Sequence, residues 1–165
     1  MRKRLAVAFT GPSNSGKTTL IEKIARVLIA QYKVAIVKND PKDKAVFDVE
    51  GKDSWKFYQT GAEVIVTSPT RTTYFSHRSK TIDEIIHMVD DFDYLLVEGL
   101  KTLPLPRIAI FRHRIDPRYF DYSEAIAIDD TIEPKDYDIP PSIDILDLND
   151  TDAVIEWIKS HAKAV

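Results

Sequence analysis

The stretch of sequence that decides the fold is "AVAFTGPSNSGKTTLIEKIARVLI", residues 6–29. It runs from a short apolar segment through two glycines into a lysine and two threonines. The apolar run over 5–9 ends in turn residues and predicts a buried strand, and the helical spacing of apolar residues over 19–31 predicts a helix. A strand, a glycine-containing loop and a helix in this order are typical of a backbone that wraps its N–H groups around a phosphate.

The spacing Gly11-x-x-x-x-Gly16-Lys17-Thr18 strengthens this interpretation. In such a loop the lysine contacts the β- and γ-phosphates, the hydroxyl ligates Mg²⁺, and the N-terminal end of the helix adds a favourable field. A chance match in an ordinary turn is the alternative, and the strand before the loop and the helix after it argue against that. We expect the Thr19 side chain to face the helix interior. The predicted nucleotide-binding residues here are Gly11, Asn14, Ser15, Gly16, Lys17, Thr18 and Thr19.

Length and composition limit the possible classes of protein. The 165 residues predict one nucleotide-binding domain over 1–165. There are no cysteines, which excludes thiolate metal sites and favours a reducing compartment, so we expect a cytoplasmic protein. The apolar run over 5–9 is too short to cross a membrane. Residues 113–165 hold 5 Lys and Arg against 13 Asp and Glu, which argues against nucleic-acid binding, whereas residues 1–112 hold 18 against 13.

The remaining patterns predict an α/β fold of three layers, with a mainly parallel sheet covered by helices on both faces, as in P-loop NTPases. "TIDE", residues 81–84, is typical of a capping box that begins a helix. Residues 39–50 are polar and predict a mobile loop. Further strands are predicted over 33–38, 63–68, 93–99, 107–112, 124–128 and 144–148, and further helices over 53–61 and about 150–162.

Two carboxylates at predicted strand ends could assist Mg²⁺. Glu98 closes the apolar run "YLLV" and is the first choice, because ligands bind beyond the carboxyl ends of the strands in such sheets. Asp40, after "AIVKN", is the alternative. The predicted metal ligands are therefore Thr18 and Glu98, with Asp40 as the other candidate, and the predicted catalytic residues are Lys17 and Glu98.

Other polar residues could line the same cleft. They are Lys52, Asp53 and Ser54 before a predicted helix, Lys101 three residues after Glu98, and Lys38 and Arg112 at strand ends. For each one, a solvated cation or a helix cap is the commoner explanation, and Asp53 or Ser54 could be a plain N-cap. The four histidines lack the spacing of a metal site.

The residues specify a nucleoside triphosphate with Mg²⁺ but no base, because the guanine-reading Asn-Lys-x-Asp pattern is absent. A resemblance adds to this. "TGPSNSGKTTLIEKI", "DVEGKDSWKFYQTGAE" and "DYLLVEGLKTLPLPRIAIFR", in this order, resemble the molybdopterin-guanine dinucleotide biosynthesis protein B family, MobB. The second and third segments are much more specific than the first, and the resemblance covers about residues 5–130.

This resemblance implies a GTP-binding protein with at most slow GTPase activity, which assists a molybdenum cofactor guanylyltransferase and forms a homodimer. Molybdopterin or GTP would be its small-molecule ligand. Histidines common after the strand-2 lysine of that family are replaced here by Asn39-Asp40-Pro41-Lys42. A P-loop small-molecule kinase or an ATP-dependent ligase of the dethiobiotin synthetase type is the alternative. The positions that match the family's motifs are Gly11, Gly16, Lys17 and Thr18, then Lys52, Asp53 and Ser54, then Glu98, Gly99, Lys101 and Arg112.

Overall fold

The structure is a computed structural model that describes residues 3–165. These residues fall into two compact units. The first unit combines the chain up to Asn39 with residues 89–165, and the second unit is formed by residues 40–88. That residues 1–165 act as a single nucleotide-binding domain stays a prediction.

The first unit is built on a seven-stranded sheet in which six strands are parallel. The strand order is β2-β5-β1-β6-β7-β8, and the short strand β9 pairs antiparallel with β1. The strands are β1 (Leu5–Thr10), β2 (Val34–Lys38), β5 (Tyr94–Glu98), β6 (Arg107–Phe111), β7 (Ala125–Ile128), β8 (Asp144–Asp147) and β9 (Lys163–Ala164).

Apolar residues on both faces of the central strands explain this sheet. All five residues of β6 are buried, as are the four of β7, so these sequences show a continuous apolar run rather than alternation. One face packs against two helices, α1 (Lys17–Leu28) and α4 (Thr151–His161), which also contact each other. The helices contribute Leu20, Ile21, Ile24, Leu28, Val154, Ile155, Trp157 and Ile158 to this core.

The opposite face, beneath β6 and β7, is covered mainly by short 3₁₀-helices and loops. A second cluster joins Phe111 and Ile126 of the sheet to Tyr119, Phe120 and Tyr137. Two of these aromatic residues belong to the 3₁₀-helix Pro117–Tyr122. The predicted three-layer α/β architecture with a mainly parallel sheet is confirmed. The helix that covers β6 and β7 on this face, Pro117–Tyr122, is a 3₁₀-helix rather than an α-helix.

The second unit contains a two-stranded antiparallel sheet and two helices. The strands β3 (Val64–Thr67) and β4 (Thr72–Phe75) pair with Val64 opposite Phe75. The helix α2 (Asp53–Gln59) contacts β3, and α3 (Ile82–Val89) lies in this unit as far as Met88. The predicted capping box is confirmed, since Glu84 accepts the Thr81 N–H at 2.7 Å and its own N–H donates to the Thr81 hydroxyl at 3.3 Å.

The predicted strands and helices of both units are found close to their expected positions, and the segment 39–50 contains no helix or strand. Four elements were not predicted, namely β4, β9 and the two 3₁₀-helices Pro117–Tyr122 and Pro134–Asp136. Within residues 3–165, no helix is sufficiently long and apolar to span a bilayer.

Candidate functional site

The loop between β1 and α1 is held tightly against β6. Gly11 has φ of 141°, and a Cβ at this position would lie 2.4 Å from the Ile110 carbonyl oxygen. Only glycine fits there, because the neighbouring atom is backbone and cannot move aside. Gly16, with φ of 97°, directly precedes α1, so the loop passes straight into the first turn of the helix.

Lys17 is the first residue of α1, and its ammonium lies inside the loop. It donates hydrogen bonds of 2.8 Å to the carbonyl oxygens of Gly11 and Pro12. Burial lowers the pKa of Lys17 from its ordinary value, while the negative charge of Glu98 acts against this shift and the charge of Lys38 adds to it. The ammonium is thus held by neutral acceptors that a phosphate oxygen could replace.

A cavity of about 490 Å³ opens above the loop. Its lining contains most of the predicted loop residues together with side chains from the carboxyl ends of β2, β5 and β6. Lys38 and Glu98 are the last residues of their strands, and Arg112 directly follows β6. The lining residues are Ser13, Asn14, Gly16, Lys17, Thr18, Thr19, Lys38, Glu98 and Arg112.

Three residues of the loop lie differently from what the sequence predicts. Thr19 was expected to face the helix interior, and this was wrong: its side chain is exposed and lines the cavity. Gly11 and Ser15 do not line the cavity. Ser15 is 3% exposed, and its hydroxyl oxygen is among the few buried side-chain atoms of the described chain that lack a hydrogen-bond partner.

Glu98 forms an ion pair within the cavity. Its carboxylate accepts a hydrogen bond of 2.7 Å from the Lys38 ammonium, and its side chain is 15% exposed against 66% for Lys38. The backbones are also joined, since the Asn39 N–H donates to the Glu98 carbonyl at 3.1 Å. The pairing of β2 with β5 places Lys38 opposite Glu98, so this ion pair follows directly from the sheet register.

Arg112 connects the cavity to the end of β7. Its Nε lies 3.3 Å from Asp129 Oδ2. Burial acts to raise the pKa of Asp129, but hydrogen bonds from Thr131 and the positive charge of Arg112 outweigh it, so the pKa is lowered. The guanidinium also lies close to the loop, 3.3 Å from the position that a Cβ on Gly16 would occupy. Asp129 therefore holds Arg112 beside the phosphate-binding loop.

Lys101 lies outside the lining of this cavity. Its ammonium stands 4.8 Å from the ring centre of Tyr119 and 5.4 Å from that of Tyr122, a geometry in which a cation is attracted to the aromatic faces. The structure therefore does not bring Lys101 together with the other predicted residues of the first unit.

The remaining predicted residues lie in the second unit. Lys52 precedes α2 as its N-cap, without a side-chain capping bond, so neither Asp53 nor Ser54 is the N-cap. The Ser54 hydroxyl instead donates to Asp48 Oδ1 at 3.1 Å. Asp40 Oδ2 accepts the N–H groups of two loop residues, Lys44 at 2.8 Å and Ala45 at 2.7 Å.

The side chains of the cavity suit a Mg²⁺ ion that is held mainly by the phosphates of a bound molecule. No group of three or more His, Asp or Glu side chains within residues 3–165 could hold a metal ion by itself. Mg²⁺ in proteins is commonly bound by one or two side chains together with substrate phosphates and water. Glu98 and the Thr18 hydroxyl are the candidates here, and Lys17, Lys38 and Arg112 supply the positive charge that a triphosphate needs.

Comparison with known sequences identifies the family of this chain. The sequence model of the family described as molybdopterin guanine dinucleotide synthesis protein B matches residues 6–129. The chain belongs to the MobB family. A curated relative from Haemophilus influenzae, named molybdopterin-guanine dinucleotide biosynthesis adapter protein, is 30% identical over 164 residues, covering 93% of this chain and 87% of the relative. The adapter protein of the same name from Escherichia coli K12 is 31% identical and covers 94% of both chains.

A solved MobB structure has the same fold. The crystal structure of MobB from Bacillus subtilis matches 96% of this chain and 98% of its own, with a TM-score of 0.76 and 22% identity. The likeness supports the α/β P-loop NTPase fold of this MobB family member.

Most residues of the cavity could be predicted from the sequence, but Ser13 of its lining and Asp129 beside it were not. Ser13 gave no signal beyond its position in the loop. Asp129, which holds Arg112, could have been noticed as a carboxylate directly after an apolar strand, in the same way as Glu98. Lys38 was predicted as a cation at a strand end. Its ion pair with Glu98 could not be predicted, because the pair depends on the register between β2 and β5.

Proposed function

We propose that the protein binds GTP with Mg²⁺ at the cavity above the loop 11–18 and acts as an accessory protein in making a molybdopterin guanine dinucleotide. The observation that carries this proposal is the convergence of Lys17, Thr18, Glu98 and Arg112 on one cavity in a chain of the MobB family. The names of the curated relatives refer to a guanine dinucleotide, which supports GTP as the nucleotide.

In this proposal each residue has a defined task. The backbone N–H groups of the loop and Lys17 hold the β- and γ-phosphates, and Arg112 adds charge at the edge of the cavity. Thr18 and Glu98 hold Mg²⁺, which neutralises phosphate charge when it is bound, and Asp40 remains the alternative carboxylate. Lys52, Asp53, Ser54 and Lys101 are retained as proposed nucleotide-binding residues on the strength of the family's motifs.

Association with other proteins belongs to the same proposal. We infer that the protein works in the cytoplasm as a homodimer and assists a molybdenum cofactor guanylyltransferase, for which molybdopterin is a substrate. Large apolar side chains are exposed in the single chain, and a second protein surface would remove them from water. Those of the second unit are Val46, Phe47, Val49, Phe57, Ile65, Val66 and Met88.

Nucleotide preference tests the proposal. Titration calorimetry of the purified protein with GTP and with ATP, each in excess Mg²⁺, should show GTP bound at least about tenfold more tightly, which corresponds to about 1.4 kcal/mol. Equal affinity, or a preference for ATP, would favour the small-molecule kinase or ligase. Addition of the protein to a guanylyltransferase assay with molybdopterin and GTP should then increase product formation.

A further inference from the structure

Arg107 is the most unusual buried residue of the sheet. It begins β6, its exposure is 0%, and it is the largest fully buried side chain among the described residues. A guanidinium stays charged in proteins, and a buried cation is costly unless its donors are bonded. Burial acts to lower the pKa of Arg107, and the negative charge of Glu124 partly offsets this effect. An apolar side chain could fill the same space without the desolvation cost of a buried charge. The hydrogen bonds of Arg107 must therefore account for its presence.

Those contacts go to one short turn. Nη1 of Arg107 donates to the Gly99 carbonyl at 2.6 Å, and Nη2 donates to the carbonyls of Leu100 at 2.8 Å and Leu103 at 3.4 Å. The turn 99–103 directly follows Glu98. The guanidinium is a planar fork whose two terminal nitrogens reach carbonyls in different positions, whereas a lysine ammonium donates from a single nitrogen.

The turn has a backbone that needs such support. Gly99 has φ of 87° and Leu100 has φ of 48°, so two successive residues adopt the left-handed conformation. A residue with a side chain pays a steric cost there, and it keeps this conformation only where its surroundings hold it. On the other side, the Gly99 N–H is bonded to the Phe9 carbonyl of β1 at 2.9 Å. Arg107 adds side-chain hydrogen bonds to three carbonyls of the turn.

We infer that Arg107 is a positioning residue, which fixes the turn after β5 and thereby holds the Glu98 carboxylate at the magnesium position of the cavity. This inference rests on the proposed function. Arg107 does not line the cavity, so it acts through the turn and not on the nucleotide itself. Residues that do not touch a metal ion but hydrogen-bond to its ligands typically change metal affinity by about 10- to 100-fold when they are replaced. We expect replacement of Arg107 to change Mg²⁺ affinity within that range.

Two variants of the full chain test this inference. Arg107→Lys keeps a positive charge but lacks the two spread nitrogens that reach these carbonyls, and Arg107→Met removes the donors while filling the space. Hydrogen exchange should increase at the Leu103 and Leu105 amides, which donate within the turn to Leu100 and Leu103. The Mg²⁺ concentration for half-maximal GTP binding should rise by about tenfold or more in both variants. GTP affinity in EDTA should remain within about twofold of the parent, because the loop residues that hold phosphate are unchanged.

A matched control separates positioning from general instability. Ile158→Val shortens a fully buried side chain of α4, away from the turn, and should lower the unfolding temperature without changing the Mg²⁺ titration. The inference would be overturned if both Arg107 variants lowered the unfolding temperature but left the Mg²⁺ titration unchanged, as the control does. It would also be overturned if hydrogen exchange in the turn stayed at the parent level. If Arg107→Met did not fold, Arg107→Lys alone would decide. A parent protein without Mg²⁺-dependent nucleotide binding would overturn the proposed function, and exchange in the turn would still report whether Arg107 holds it.

Discussion

Lys17→Ala should abolish triphosphate binding while leaving the fold intact. The Lys17 ammonium bonds to two loop carbonyls inside the cavity and belongs to neither apolar core. A charge-assisted hydrogen bond contributes about 1.5–3 kcal/mol, so loss of two phosphate contacts should weaken GTP binding at least about 100-fold. Calorimetry measures the affinity and circular dichroism checks the fold. Lys23→Ala, an exposed lysine on the same helix, is the control and should bind GTP as the parent does.

Glu98→Gln should weaken the response of GTP binding to Mg²⁺ more than GTP binding itself. The amide keeps the shape of the side chain but loses the charge that attracts the cation, and it also weakens the pair with Lys38. A Mg²⁺ titration at fixed GTP should show the midpoint raised by about tenfold or more, and Thr18→Ala should act in the same direction. An unchanged midpoint for Glu98→Gln, together with a raised one for Asp40→Asn, would transfer the magnesium role to Asp40.

The β3–β4 hairpin carries a prediction about pH. Hydrogen bonds from Tyr74, Ser76 and the His77 N–H lower the pKa of Glu63 from 4.5 to about 2. Since the folded protein favours the charged form, this carboxylate contributes stability above about pH 4.5, and the contribution disappears as the pH falls toward 2. Glu63→Gln should therefore be less stable than the parent at pH 7, and the difference should close progressively below pH 4.5.

Urea unfolding at several pH values tests this, with Trp55 of α2 as the fluorescent probe in a Trp157→Phe background. The same substitution in a Tyr74→Phe chain is the control, because removal of the main donor should reduce the effect of pH. A difference between Glu63→Gln and its parent that stayed constant from pH 7 to pH 3 would contradict the assigned hydrogen bonds.

Some elements could be predicted from the sequence because their signal is local. The apolar runs of β1, β5 and β6 and the capping box of α3 need only neighbouring residues, and they were confirmed. The strand β4 was not predicted because "TTYF" is short and mostly polar, and its pairing with β3 is visible only in the fold. The strand β9 has two residues and exists only because β1 lies beside it.

The candidate site likewise contains residues that are visible in the sequence and residues whose contacts are visible only in the fold. The loop 11–18 and Glu98 could be predicted, because a motif and a strand end are visible in the sequence. The full burial of Arg107 and its bonds to the turn 99–103 depend on contacts across the fold, and an arginine at the start of a strand is ordinarily read as exposed. The position of Lys101 over two tyrosine rings also depends on contacts across the fold, so it could not be predicted from the sequence.

The whole molecule should be a slow GTPase. Fast phosphoryl transfer needs a positioned nucleophile and extra positive charge on the γ-phosphate in the transition state. Of the residues that line the described cavity, Glu98 is the proposed Mg²⁺ ligand, Lys38 is paired with Glu98, and Arg112 is held by Asp129. No glutamine is among these lining residues, so orientation of a water molecule has no evident side chain. We expect turnover of GTP at about 10⁻⁴ to 10⁻² per second, the range of unassisted GTPases.

A steady-state phosphate-release assay with GTP and with ATP measures this rate, and Lys17→Ala provides the background. If the protein is an accessory factor, turnover should stay in the slow range when small acceptor molecules are added and should rise only with a guanylyltransferase. Turnover above about one per second without a partner would indicate a dedicated enzyme, because that is where typical kcat values begin. The reason for expecting a partner effect is physical: Arg112 and Lys38 already line the cavity, and release of either from its carboxylate would free its positive charge for interaction with bound phosphate.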